Sequence, residues 1–562
     1  MQIKTEPLGD LLLISQLIKS TGLVERVEEY FPRHHLWRGP GVGETLMGLL
    51  LYIISESDHR MCQVEHWASS REDVLRWCLG NEEFTSAHLS DDRLGNLLDL
   101  LSKGLAWSAF QKAQNESLIR IYELDKSSDD GGESHRTVRI DTTTAQSDRP
   151  LGGLFGLGYN AHGSDMPQLK VVLLALDKAN FPLTMHTVGG DEGDDNLYTP
   201  VLKQAWQEGL ARSGILVVGD SKLCNQRNMG FIAASENYYL GPLSQRQHSA
   251  QALLQGCRWI EQQAERPQEV MRLAAKAKEA ECIALVKELP AITMCHPDDK
   301  NQQWTQRLFA VCTLSKREKQ LKQLEHRMDS TRTETYERLK PMRGRKTLNQ
   351  LEQAQAMVQT ILKKHRTEAL FNVTIHPSVD KTSACEVQLE INEAALADER
   401  MIAGWRVMAT NAPENRLSAY DAVLCYWEEY RIEQQFHLML NKCTALMPIY
   451  LKKDNRIQAL THVIMLALQY SNLWQYTIRQ QLAQEKDPFI THVVPGNPGM
   501  KVHNPTTKLV LSAFKNIQFI HVNLPNNIQI VQIQGIQESH LKLLDLLKLP
   551  RDLFMHPLCQ RT

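Results

Sequence analysis

The chain has 562 residues, 42% of them hydrophobic, with 63 Lys and Arg against 65 Asp and Glu and a formal net charge of −2. That length predicts two to four domains with a substantial interior, and the near balance of charge excludes an overall field as the means of holding nucleic acid, leaving local patches. The 11 cysteines form no CxxC pair and no Cys/His ligand spacing, which argues against a zinc module and a disulfide scaffold and predicts a reducing, cytoplasmic setting.

From Leu8 to about Leu124 apolar residues recur at three- and four-residue spacing, as in LLLISQLIKSTGLVERV and LGNLLDLLSKGLAWSAFQKA, and predict a helical N-terminal domain over 1–124. The longest apolar run there, Leu46 to Ile54, is too short to span a bilayer, and Met1 to Leu13 lacks the basic start and apolar centre of a signal peptide. A soluble chain is expected. The acidic, Gly/Ser-rich stretch DKSSDDGGES marks a linker over 125–136. After it come β-like runs, TVRIDTT, KVVLLALD and FPLTMHTV, then a helix around Asn196 to Leu210, the run ILVVGD, and a further helix leading into NYYLGPL. This order predicts an α/β sandwich of the ribonuclease H type, its first part over 137–243, with Asp141 on the first strand and Asp220 at the end of the fourth.

Residues 244–377 interrupt that plan. Between Ser315 and Arg366 there are 14 Lys/Arg against 6 Asp/Glu, and the abundance of good helix formers predicts a basic helical arm, a hairpin broken near KPMRGRK. Such an arm is either an ordinary solvated helix pair or a surface that grips DNA, with Arg343, Arg345 and Lys346 as phosphate contacts. The second part of the core, 378–484, should hold strands at CEVQLEIN and GWRVMATN, a long helix from Ala419 to Asn441, and an apolar helix from Ile457 to about Leu482. The C-terminal region, 485–562, has two β-like runs, NIQFIHVNL and IQIVQIQ, before a short helix.

Three acids stand in recognisable contexts: Asp141 in VRIDTTTAQ, Asp220 in ILVVGDSK and Glu433 in YWEEYRIEQQF. Each alone reads as a solvated turn residue or helix cap. Together, from two strands and a helix, they could gather around a pair of divalent ions, the arrangement that activates a nucleophile and stabilises both oxygens in phosphodiester chemistry. Mg²⁺ suits such a set, because this hard cation takes oxygen ligands and keeps several waters. Other motifs read more plainly. GGDEGDD lacks the spacing of a calcium loop, and GGLFGLG lacks that of a phosphate or dinucleotide loop. The tryptophans Trp67, Trp77 and Trp107 lie in helical patterns and read as core.

The words IDTTTAQ, GYNAHGSDMPQLKVVLLALD, FPLTMHTVGGDEGDD, VVGDSK, GWRVMATN, YWEEYRIEQQF and PIYLKKDNRIQAL, in that order from Val138 to Leu468, resemble insertion-sequence DDE transposases whose catalytic core carries a large insertion before the glutamate. The resemblance implies a retroviral-integrase-like core with Asp141, Asp220 and Glu433 as the metal-binding triad for two Mg²⁺ or Mn²⁺ ions. It implies cutting of transposon ends with water, joining of the 3′ hydroxyls to target DNA, and a homodimer or higher oligomer on DNA. Lys452, Lys453 and Arg456 would position phosphates.

The chain also departs from that family. Tyr426 and Glu433 match its helix motif, but Glu429 stands where the family has arginine and Leu440 where it has lysine. On one continuous helix Tyr426 and His437 would share the Glu433 face, so both are candidate DNA contacts, with His437 in place of a longer cation. The missing basic residues leave open a catalytically lapsed transposase acting as a DNA-binding protein, and a metal-dependent nuclease without strand transfer is a further alternative.

Overall fold

The structure is a computed structural model that describes residues 2–125, 136–158, 166–193, 196–210, 213–273, 279–340, 351–377, 385–439, 449–523 and 529–555. The chain is mixed α/β and divides into two compact units, one of Met1–Gly219, Ser235–Asn237 and Glu429–Thr562, the other of Asp220–Ala234 and Tyr238–Glu428. Among the described residues no helix is long and apolar enough to cross a membrane.

In the first unit, helices Leu11–Lys19, Leu23–Tyr30, Val42–Glu56, Met61–Ser69, Glu72–Leu79, Asp91–Leu101 and Gly104–Ile121 fill the N-terminal stretch. Val42–Glu56 is apolar around nearly its whole circumference, so it is the helix the others surround. It starts where the Glu44 carboxylate accepts the Gly41 N–H at 2.7 Å, which satisfies one of the donors a helix start leaves open. Gly22 makes the tight link between the first two helices at φ 71°, a conformation a side chain would strain. The all-helical expectation misses a strand, Gln2–Pro7, which pairs antiparallel with Gln518–Asn523, itself paired with Gln529–Gln534. Its partner lies at the far end of the chain, so no local pattern announces it.

The core strands of this unit are Thr137–Gln146, Gln168–Leu176 and Phe181–Gly189, antiparallel in sequence order, and Leu216–Gly219, which lies parallel to the start of the first. Gln168–Leu176 is buried at every position, as its unbroken apolar run VVLLAL requires of a strand covered on both faces. The helix Asp454–Gln484 packs on Phe181–Gly189 and on the N-terminal helices. Polar residues fix its register: Gln469 donates to the Pro182 carbonyl at 2.7 Å and to Asn115 Oδ1 at 2.9 Å, and the Tyr470 hydroxyl meets Thr21 Oγ1 at 2.8 Å.

Two histidines on this interface give the unit an acid sensitivity. His462 on the long helix stacks on Trp107 with centroids 4.2 Å apart and planes 5° from parallel. Burial, and then the neighbouring His186, push its imidazole down to about 3, and burial holds His186 at about 4. Below the ordinary histidine value of 6.5 the unfolded chain therefore binds more protons than the folded one, so this stability is intact above that pH and is lost as the pH falls toward 4 and then 3. Moving from about pH 7.5 to about pH 5 should cost about 1–2 kcal/mol per histidine, read as a fall in Tm that His462→Phe reduces. A Tm independent of pH over that interval would contradict the assignment.

The second unit holds the strands Tyr238–Pro242, Gln268–Arg272, Glu281–Cys295, Gln303–Thr313 and Trp405–Thr410, with Trp405–Thr410 between Tyr238–Pro242 and Gln303–Thr313 and every pair antiparallel. The insertion, expected to be largely helical, therefore begins with one helix, Ala250–Gln262, followed by three strands. Its run ECIALVKELPAITMC is rich in helix formers, but it pairs with Gln268–Arg272 on one side and Gln303–Thr313 on the other, and Pro290 falls where the register with Gln303–Thr313 shifts between Leu289 and Ile292, the bulge a residue without an N–H needs. The second half is helical: Leu314–Leu339 and Leu351–His365 pack through Leu324, Met328, Val358 and Leu362 onto a hairpin of Phe371–Pro377 and Cys385–Ile391.

Candidate functional site

Asp141 sits in the middle of Thr137–Gln146, a β-branched run that favours a strand. It is half-buried, and its Oδ1 accepts the Thr142 N–H at 2.7 Å. One residue earlier, Ile140 pairs with Gly219 on the parallel neighbour, and Asp220 follows Gly219 directly. Asp141 and Asp220 thus each occupy the position just past one register pair. At Asp220 the chain leaves the strand through a side-chain-closed turn: Oδ1 accepts the Lys222 N–H at 3.0 Å and the backbone carbonyl accepts the Leu223 N–H at 3.1 Å. Its carboxylate is 29% exposed, with Lys222 Nζ at 3.9 Å.

Glu433 lies on the helix Tyr430–His437, which packs against the strand that carries Asp141. The helix is amphipathic, with Ile432, Gln435, Phe436 and Met439 buried and Glu433, Gln434 and His437 exposed. A polar clamp holds it. Arg139, two residues before Asp141 and 1% exposed, donates from Nε and Nη2 to Asp177 at 2.8 and 3.1 Å, and Arg431 Nη1 reaches the same carboxylate at 3.3 Å. Asn180 Nδ2 donates to the Arg431 carbonyl at 2.9 Å, and Asn472 Nδ2 donates both to the Asn180 carbonyl at 2.9 Å and to Gln435 Oε1 at 2.6 Å. Strand and catalytic-candidate helix are therefore fastened through one aspartate. Sequence reasoning missed Asp177, which reads as an ordinary strand-end acid.

The long helix expected from Ala419 to Asn441 is two helices. Ala419–Trp427 starts on Ser418, whose Oγ accepts the Asp421 N–H at 3.1 Å. It stops at Glu428, where ψ is 6°, far from the helical value of about −42°. The seven-residue phase relation between Tyr426 and Glu433 rests on one unbroken helix. Tyr426 is 8% exposed, and Arg406 lies over its ring at 4.6 Å, so its ring belongs to a packed interior. His437 keeps the exposed face one turn beyond Glu433. Leu440 lies outside the described residues.

The three carboxylates offer only oxygen, the donor chemistry a hard divalent cation takes, and within the first unit the helix that carries Glu433 packs on the strand that carries Asp141. Yet among the described residues no group of three or more His, Cys, Asp or Glu side chains is placed to hold a metal ion. The donors fit such an ion in kind.

The basic candidates separate. Arg343, Arg345 and Lys346 lie outside the described residues. Lys452 and Lys453 are exposed. Arg456 is committed to Asp99, with Nε at 2.9 Å and Nη2 at 2.7 Å, and so is tied to the helix Asp91–Leu101. In the second unit Lys319, Lys322, His326, Arg366 and Trp405 line an open groove of about 1100 Å³. The spacing of Lys319 and Lys322 along one helix was the available signal for that face.

No family model matches the chain, and no curated protein matches it. Among solved structures it is similar to a cryo-EM structure of a piggyBac transposase synaptic complex with hairpin DNA, at 9% identity over 86% of each chain and a TM-score of 0.23. That likeness is too slight to assign a fold or a function.

Proposed function

We propose that this chain cuts and joins DNA strands as a DDE transposase of the insertion-sequence kind, on a ribonuclease H-like core, with Asp141, Asp220 and Glu433 as the metal-binding triad. The observation that carries the reading is the docking of the Glu433 helix on the Asp141 strand, whose parallel neighbour ends at Gly219, the residue before Asp220. These three residues would hold two Mg²⁺ or Mn²⁺ ions, which when bound supply an activated water or 3′ hydroxyl and stabilise the charge on the entering and leaving oxygens. His437, exposed one turn from Glu433, would meet a phosphate, as would Lys452 and Lys453. The partners on this reading are transposon-end and target DNA, with a second copy of the chain to hold the paired ends.

A second reading has its own support. The basic places of the family's helix motif are held by Glu429 and Leu440. That favours a lapsed transposase that binds DNA without cutting it. The test is Mg²⁺-dependent nicking of DNA carrying the inverted repeats that flank the coding region, with Asp141→Asn as control. Nicking followed by strand-transfer products supports the first reading. Nicking alone leaves a nuclease, and binding without nicking leaves the lapsed form.

A further inference from the structure

The first unit contains a cavity of about 640 Å³ between the C-terminal end of Val42–Glu56, the helix Met61–Ser69 and Tyr450. Its walls are aromatic. Tyr52 and Trp67 meet edge to face at 5.4 Å, and the rings of His59 and Tyr450 lie 29° from parallel with centroids 6.4 Å apart, wider than the 4.2 Å stack of Trp107 on His462. Tyr450 is 58% exposed. The charged groups of the walls are already matched: Asp58 accepts from the Tyr52 hydroxyl at 2.6 Å and pairs with Arg60 at 2.9 Å, and Glu56 accepts the Trp67 indole N–H at 3.0 Å with Arg71 at 3.8 Å.

Neutralised walls disfavour a free phosphate or a bare cation. Flat rings with a carboxylate, a guanidinium and the Gln63 amide at their edges suit a planar, uncharged heteroaromatic ring that carries both donors and acceptors. The cations that would meet an anionic backbone are the exposed Lys452 and Lys453, two and three residues along the chain from Tyr450. Aromatic platforms next to a basic track are how proteins hold unpaired strands. We propose that this cavity receives an unpaired base of a DNA strand, stacked on Tyr450, while Lys452 and Lys453 hold the adjoining phosphates. The proposal rests on the DNA-binding part of the reading above and on none of its catalysis.

The test is fluorescence anisotropy of the full chain in EDTA, with a labelled oligothymidylate and a labelled duplex. Tyr450→Ala should weaken oligothymidylate binding about 10-fold while the duplex changes by less than about twofold, the loss expected for one stacked base, and Tyr450→Phe should restore it. Lys452→Ala with Lys453→Ala should weaken both probes and flatten their salt dependence. Thymidine monophosphate should compete poorly. Unchanged oligothymidylate binding by Tyr450→Ala, equal loss on both probes, or full competition by the mononucleotide would overturn the proposal. A parent chain that binds the duplex while Tyr450→Ala has no effect removes only the base site, whereas a parent that binds neither probe removes the DNA-binding reading with it.

Discussion

Asp177→Ala should destabilise the first unit by about 3–5 kcal/mol, because it leaves the Arg139 guanidinium buried with its carboxylate partner gone. Arg139 is 1% exposed and spends two donors on Asp177, so the cost is that of an uncompensated buried charge rather than of one lost hydrogen bond. Arg431→Ala removes the other side of the same clamp, but Arg431 is 34% exposed, and water screens and replaces its contact, so about 1 kcal/mol or less is expected. The contrast is the test. Urea denaturation followed by circular dichroism should show a large shift of the first transition for Asp177→Ala and a small one for Arg431→Ala, and the double variant Arg139→Met with Asp177→Leu should recover much of the loss, since an apolar pair of similar bulk substitutes well for a buried ion pair. Equal, small shifts for both single variants would mean that Arg139 finds water or another carboxylate, and that the clamp does not hold strand to helix.

Asp141→Asn should reduce Mg²⁺-dependent strand cleavage by at least about 10³-fold, the equivalent of several kcal/mol of charge stabilisation withdrawn from the reacting phosphate. The substitution keeps the shape of the side chain, and its amide oxygen can still accept the Thr142 N–H now bound at 2.7 Å, so neither the strand nor the fold should change. DNA binding measured in EDTA should be unaltered. Cleavage within about tenfold of the parent would remove Asp141 from the chemistry, since tenfold is only about 1.4 kcal/mol.

What the sequence made legible follows the range of each interaction. The core strands announce themselves through local pattern: VRIDTTTAQ and KVVLLALD are β-branched or apolar runs, and ILVVGD ends in the turn former Asp220. The two C-terminal strands and the apolar helix around Ile457 to Leu482 are of the same kind, and the structure gives them as Gln518–Asn523, Gln529–Gln534 and Asp454–Gln484. Features fixed by distant partners were not legible. The strand Gln2–Pro7 exists because Gln518–Asn523 lies beside it. The run from Glu281 to Cys295 has the composition of a helix and becomes a strand because neighbours on both sides complete its ladder. Asp177 looks like a turn acid until the fold buries Arg139 against it. Within the candidate site the three acids were readable as words in order, whereas the break at Glu428 was not, because YWEEYRIEQQF has unbroken helical composition and the interruption appears only in one backbone angle.

The most direct measurement replaces Mg²⁺ by Fe²⁺ on the DNA-bound full chain and adds ascorbate and peroxide, so that hydroxyl radicals generated at bound iron cut the polypeptide beside its ligands. If Asp141, Asp220 and Glu433 share the metal, cuts should cluster at all three positions, and Asp141→Asn should abolish the three together. Cuts confined to one of these positions, or a pattern that Asp141→Asn leaves unchanged, would show that the three carboxylates do not act as one site.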